Sequence, residues 1–166
     1  MKTRTIFLPI NFVIQSTLYN LRERTVAFGF DTFSRLYVKV KRNEPWGISR
    51  KELLKLQPES LGFHLGCFLL KHNLHPQPRC EDHDVFHVIT GYSTDTDQEI
   101  AMQFFLFGNG KRSPFLNLAR LCGYLLYPDR YSYFKEALKK GAAHMPLHVF
   151  DYKQHLNTSV KLFKKQ

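Results

Sequence analysis

Two histidines, His83 and His87, stand four residues apart in the stretch EDHDVFHVITGYSTDTDQE (81–99). On a helix that spacing stacks both imidazoles on one face. It is the arrangement by which one helix gives two nitrogens to a single metal ion, as in His-Glu-x-x-His sites. Asp84, one position round from His83, can be a third ligand or a partner that orients an imidazole. Glu99 lies twelve residues beyond His87, across a turn at 91–95. A hairpin of two helices would bring it back beside the first helix and complete a two-His, two-carboxylate site. Such donors suit borderline and hard divalent ions: zinc first, with manganese, iron and magnesium compatible. The chemistry on offer is that of a Lewis acid.

The charge pattern points to the same place. Residues 81–99 hold six of the fourteen carboxylates and two of the eight histidines, and no Lys or Arg occurs from 80 to 110, although the chain carries 24. Carboxylates gathered this closely repel one another unless a cation neutralises them. The plainer reading of an acidic helix start is favourable interaction with the helix dipole. Glu81, Asp82, Asp95 and Asp97 are read that way, as helix-start and surface carboxylates. The remainder of the chain is strongly basic, and the formal net charge is +10. A basic exterior favours phosphate, whether in anionic lipid headgroups, phosphorylated ligands or nucleic acid. No RNA-binding aromatic motif, zinc-finger spacing or basic zipper is present, so nucleic acid is not expected as a partner. Lys111 and Arg112 follow Gly108-Asn109-Gly110, where they can sit at a pocket mouth and meet a phosphate or simply occupy a solvated loop. His144 and His148 are also four apart, but Pro146 between them spoils a common helical face, and they are read as structural.

These groups need elements to hold them. The chain has 166 residues, 43% apolar, with fifteen Phe and eight Tyr, enough for one domain with a real core. Cys67, Cys80 and Cys122 are odd in number and lack Cys-x-x-Cys spacing, which suits a reducing, cytoplasmic setting. No run approaches the ~18–20 apolar residues of a membrane span. The run 6–14 is broken by Pro9 and Asn11 and does not read as a signal peptide.

Residues 1–45 are hard to assign: 10–30 has near-helical apolar spacing, whereas 33–41 is ambiguous between helix and strand. Ser49 to Glu52 is a capping box for a short helix ending near Gln57, with Pro58 at the first turn of the next. There Gly62 and Gly66 share a side and permit close approach of another backbone or of a ligand chain. Helices are expected at 82–92, stopped by Gly91; at 96–107, very apolar at Phe104–Phe107; from Ser113-Pro114 to about Leu126; and at 131–140, stopped by Gly141. A last one is expected from Asp151. The fold class is all-α: one multi-helix bundle with the metal site on a helical hairpin and a readable core at 46–160.

His83-Asp84-Val85-Phe86-His87, followed after eleven residues by Glu99, resembles the His-Asp-x-x-His…Glu signature of the coenzyme Q biosynthesis protein 4 family. Val88-Ile89-Thr90-Gly91-Tyr92 with Thr94, the upstream Pro58-Glu59-Ser60-Leu61-Gly62 and Phe68-Leu69, and the downstream Gly141…Pro146-Leu147…Asp151 are similar to it in order. The likeness spans roughly 45–160. Gln98 departs from it, standing where a small residue commonly precedes the Glu. So does the short gap from Gly62 to His83, which contains Pro76 and Pro78. The resemblance implies an all-α fold and a divalent metal, zinc foremost, on His83, Asp84, His87 and Glu99. It also implies a prenylated aromatic or polyprenyl lipid beside the metal, near Gly62, Gly66, Phe104 and Phe105. Peripheral contact with an anionic membrane surface and with other quinone-biosynthesis proteins follows as an expectation. The implied activity is oxidative decarboxylation of a prenylated benzoate, C1 carboxyl to hydroxyl. The alternative is a non-catalytic lipid-binding scaffold of the same pathway. A His-Asp phosphohydrolase fits less well, because such enzymes spread their ligands over distant helices.

Overall fold

From Ile100 to Leu106 only Gln103 interrupts the apolar residues. A helix apolar all round its circumference must be covered on every side, and this one is the centre of the molecule. In the computed structural model, which describes residues 10–164, the chain is all helical. The elements are α1 (Ile10–Val40), α2 (Arg50–Leu53), α3 (Leu61–Lys71), α4 (Glu81–Thr90), α5 (Thr96–Gly108), α6 (Pro114–Leu126), α7 (Tyr131–Ala143) and α8 (Val160–Phe163), with 3₁₀ turns at Pro128–Arg130 and Tyr152–His155. Residues 1–9 and 165–166, with the beginning of the 6–14 run, lie outside the described residues.

Every residue of α5 from Ile100 to Leu106 is buried. Its most extensive neighbour is α7, then α6. Two glycines allow the close α5–α7 crossing: a Cβ on Gly108 would collide with the Leu138 carbonyl, and one on Gly141 with that of Phe105. Gly141 is therefore helix interior and not the expected stop; α7 runs on to Ala143 because the small residue is needed for packing. Polar ties fix the two ends of the pair. Arg130 holds Asp97 at 2.6 Å and the Tyr133 hydroxyl donates to Gln98 at 2.8 Å. At the other end the Asn109 amide donates to the carbonyls of Gly141, His144 and Met145 and accepts from the Leu147 N–H.

The expected cap signals are met at Ser49, where both halves of the capping box form, and at Ser113, which accepts from the Leu116 N–H with Pro114 in the first turn. Other boundaries differ. α2 ends at Leu53 rather than near Gln57, and α3 starts at Leu61, capped by Ser60, rather than at Pro58. The segment from Asp151 is a 3₁₀ turn, and the last helix forms only at Val160. The ambiguous stretch 33–41 continues the helix of 10–30, giving α1 its 31 residues. α1 lies against α6 and is held by Arg22, whose guanidinium meets Asp129 at 2.6 Å and stacks 4.2 Å from the Tyr127 ring centroid. Phe30 and Phe33 contact the Phe115 ring.

Candidate metal centre

Gly91 makes the site possible. It ends α4 in the left-handed region (φ 78°), donating its N–H to the His87 carbonyl, and the turn at 91–95 sends α5 back beside α4. Asp95 is the N-cap residue of α5, which places Glu99 in the first turn. The expected hairpin thus forms. The His87 Nε2 lies 3.2 Å from the His83 Nε2 and 3.0 Å from a Glu99 oxygen, and the His83 Nε2 lies 3.4 Å from the other. Metal–ligand bonds of about 2.0–2.1 Å at the tetrahedral angle separate neighbouring ligand atoms by about 3.3 Å. The two nitrogens and the carboxylate are spaced as three side-chain ligands of one ion would be.

The tautomer is set from behind. His87 Nδ1 lies 2.9 Å from the Tyr92 carbonyl oxygen, which can only accept, so Nδ1 carries the proton. In the neutral ring Nε2 then presents a lone pair to the Glu99 carboxylate, itself only an acceptor. Phe68 stacks on the imidazole at 5.2 Å, fixing the ring plane. The His87 side chain is 1% exposed. A buried lone pair facing a carboxylate demands a positive centre: a proton on Nε2 or a metal ion. The pKa values report the same demand. Burial alone would lower that of His87, but the hydrogen bond and charge of Glu99 outweigh it and raise it. Burial pushes Glu99 up, yet the two histidines pull it to about 2.

Among the described residues His83, His87 and Glu99 are the group able to hold a metal ion; Asp84 is not within it. Asp84 stands close enough for its charge to act on both histidines, and burial raises its pKa to about 6. The other acidic residues are not all surface groups, as the sequence had suggested. Glu81 is 4% exposed and accepts from the Trp46 N–H at 2.9 Å, and Asp97 is 8% exposed and paired with Arg130. These partners, one a backbone N–H and one a guanidinium, come from outside 80–110, so local sequence could not reveal them.

The glycine face expected to shelter a lipid is filled by protein: Gly62 faces Leu56 and Leu156, and Gly66 faces Leu53 and Leu54. Phe104 is a core ring between Tyr124 and Phe134, and Phe105 packs on Tyr92 and His144. Open space lies elsewhere. A cavity of about 240 Å³ includes His83, Phe86, Gln103 and Lys111, with Arg112 in its wall. A second, of about 270 Å³, contains Glu99 and shares His83, Gln77 and Phe115 with the first. A third, of about 380 Å³, is an apolar groove between α1 and α6 that includes Phe28, Phe33, Leu36 and Leu118 and shares Phe30 with the second. The three adjoin in a row with the His–Glu group in the middle. The groove escaped sequence reading because most of its lining belongs to α1, which lies in the hard-to-assign residues 1–45.

No protein-family model matches the chain, and no curated protein matches it.

Proposed function

We propose that the protein acts in prenylquinone biosynthesis, using a divalent metal, zinc foremost, to promote oxidative decarboxylation of a prenylated benzoate. The observation that carries this reading is the convergence of two imidazole nitrogens, 3.2 Å apart, on the two oxygens of one carboxylate at 3.0 and 3.4 Å, beside a ring-sized cavity on one side and an apolar groove on the other. That sequence of environments suits an amphiphile whose head meets the metal and whose tail lies in a greasy slot. The motif resemblance to the coenzyme Q biosynthesis protein 4 family supplies the reaction class.

His83, His87 and Glu99 would hold the ion, which supplies Lewis acidity toward a substrate carboxylate or phenol oxygen. Three protein ligands leave a fourth position for that oxygen. Asp84 is half-buried beside the histidines, where its charge acts on both. In the overall change the carboxyl leaves as carbon dioxide, water supplies the hydroxyl oxygen, and two electrons and two protons pass to an external oxidant of the dioxygen or quinone class. Phe28 at 72% and Leu125 at 69% are among the exposed apolar residues of α1 and α6. With the net charge of +10, they support peripheral contact with an anionic membrane. No helix among the described residues is long and apolar enough to cross one.

A single-turnover assay of a prenylated hydroxybenzoate, run with metal-loaded protein and a His87→Ala control, tests the reading. Carbon dioxide and the hydroxylated product should form only with the parent protein. Equal yields from both would end the enzymatic reading. Tight binding without turnover under every oxidant tried would favour the scaffold alternative.

A further inference from the structure

The cavity beyond His83 contains two groups that the metal site does not use. Lys111 is placed there by the end of α5: Gly110, in the left-handed region (φ 98°), donates to the Phe107 carbonyl, and Lys111 donates its backbone N–H to that of Leu106. This is a Schellman closure, which fixes where the Lys111 side chain starts. Its ammonium lies 4.1 Å from the centroid of the Phe86 ring, inside the wall. Lys41 shares that wall and its charge acts against Lys111. Two like charges in one small cavity are unfavourable unless an anion joins them. Asp82 also lines the cavity and its charge interacts with both lysines, so it offsets one charge of the two and leaves the other for a bound anion.

The second group is Gln103, the sole polar residue between Ile100 and Leu106. It is 2% exposed and lines the cavity, and its Nε2 has no hydrogen-bond partner. A buried amide left unsatisfied costs about 1–3 kcal/mol, so a polar side chain here needs a ligand to justify it. Much of the remaining wall is aromatic, with Phe86, Phe150 and Tyr152. At about 240 Å³ the space is just below the ~300–1,000 Å³ of sites for drug-sized ligands; it admits one ring with its acid group and not a lipid chain. Arg112 does not compete for the anion, because its guanidinium donates to the Phe107 and Lys111 carbonyls at 2.8 Å each.

We propose that this cavity is an oxyanion pocket for an aromatic acid, aryl carboxylate or aryl phosphate, held between Lys111 and Lys41 with the Gln103 amide donating to it. The pocket deepens the reading above by naming the group through which a ring would be held beside the metal. It rests on that reading for what becomes of the acid but not for its binding. Burial, aided by Lys41, lowers the Lys111 pKa to about 8, a cost that a bound anion would relieve.

The test is calorimetric titration of the full chain, zinc-loaded and zinc-free, with 3-geranyl-4-hydroxybenzoate, the matching carboxamide, phenyl phosphate and inorganic phosphate. A charge-assisted contact predicts that the acid binds about tenfold or more tightly than the amide, in both metal states. Lys111→Met should bring the two affinities together without weakening the amide. Lys41→Ala, at a position outside the helices, should shrink the preference several-fold in a fold that circular dichroism shows unchanged. The tighter of hydroxybenzoate and phenyl phosphate identifies the acid. Equal binding of acid and amide by the parent protein overturns the pocket. So does a preference that is present only in the zinc-loaded protein and survives Lys111→Met, since the metal would then be holding the anion. Inorganic phosphate binding as tightly as phenyl phosphate removes the aromatic part of the proposal. Acid preference in a protein that takes up no zinc keeps the pocket and sinks the metal site instead.

Discussion

His87 donates from Nδ1 to the Tyr92 carbonyl oxygen at 2.9 Å, and that bond decides what the opposite ring nitrogen can do. With the proton held at Nδ1, Nε2 is left to bind a metal. The Tyr92 carbonyl is where it is because Gly91 turns the chain in the left-handed region. Sequence, turn and ligand chemistry are linked through these consecutive positions.

Gly91→Ala tests that linkage. No atom lies within 4 Å of the added Cβ, so the only cost is the backbone at φ 78°, about 1–2 kcal/mol for an L-residue. If the turn relaxes, the carbonyl moves off Nδ1. Loss of such an outer partner typically weakens metal binding about 10–100-fold. Competition with a chromophoric zinc chelator should show this drop for Gly91→Ala and a smaller one for Gly91→Asn, which tolerates the left-handed region better. Unchanged zinc affinity in Gly91→Ala would separate the turn from the ligand.

Two glycine substitutions should have opposite signs. Gly141→Ala drives a methyl into the Phe105 carbonyl at the α5–α7 crossing. Overpacking of this kind costs about 1–3 kcal/mol or more, and the midpoint of thermal unfolding should fall by several degrees, at about 2–4 °C per kcal/mol for this size. Gly29→Ala, in α1 with nothing within 4 Å, should gain roughly 0.8–1.0 kcal/mol of helix propensity. Parallel thermal melts check both. A neutral Gly141→Ala would mean that the crossing is looser than the structure has it.

Local signals explain what was legible in the sequence. The His83/His87 spacing, the Gly91 stop and the capping serines Ser49 and Ser113 act within one turn of helix, where a few residues settle the geometry. The hairpin that brings Glu99 to the histidines follows from them. What was not legible depends on distant partners. Gly141 carries a helix-stop signal, yet its role is set by Phe105. Gly62 and Gly66 mark a close approach, and only the fold shows that protein fills it. Asp97 and Glu81 looked like dipole-stabilised surface acids until Arg130 and the Trp46 backbone arrived from elsewhere. The unsatisfied Gln103 went unnoticed in an otherwise apolar run; a lone amide among Ile, Met, Phe and Leu was the available signal.

Lys111 should impose a pH dependence on stability. Its pKa falls from 10.5 to about 8 on folding, burial being the main cause. Below pH 8 the amine is protonated in folded and unfolded chains alike, and the burial cost is present in full. Between about 8 and 10.5 the unfolded chain holds more protons, so stability rises with pH. The span corresponds to ~3 kcal/mol at most, before the favourable contact with Phe86 is counted. Urea unfolding at stepped pH should show this rise in the parent protein relative to Lys111→Met, whose own curve lacks it. Parallel curves for the two proteins across that window would contradict the burial of the ammonium.

The apolar groove between α1 and α6 gives the last test, because the proposed function would put a lipid tail there, a place the sequence did not suggest. Phe28 lines this groove and is 72% exposed, so Phe28→Asp should leave folding intact. Covering a phenylalanine side chain contributes roughly 1.5–3 kcal/mol, which is about 10–100-fold in affinity. A hydroxybenzoate with a long polyprenyl chain should lose about that much on Phe28→Asp, while one with a single prenyl unit, too short to pass Phe30, should bind as before. Fluorescence titration of both ligands against both proteins reads the difference directly. Equal losses would place the effect on the head-group side. No loss for the long chain would take the tail out of the groove, and the exposed row on α1 would then be left to contact the membrane surface alone.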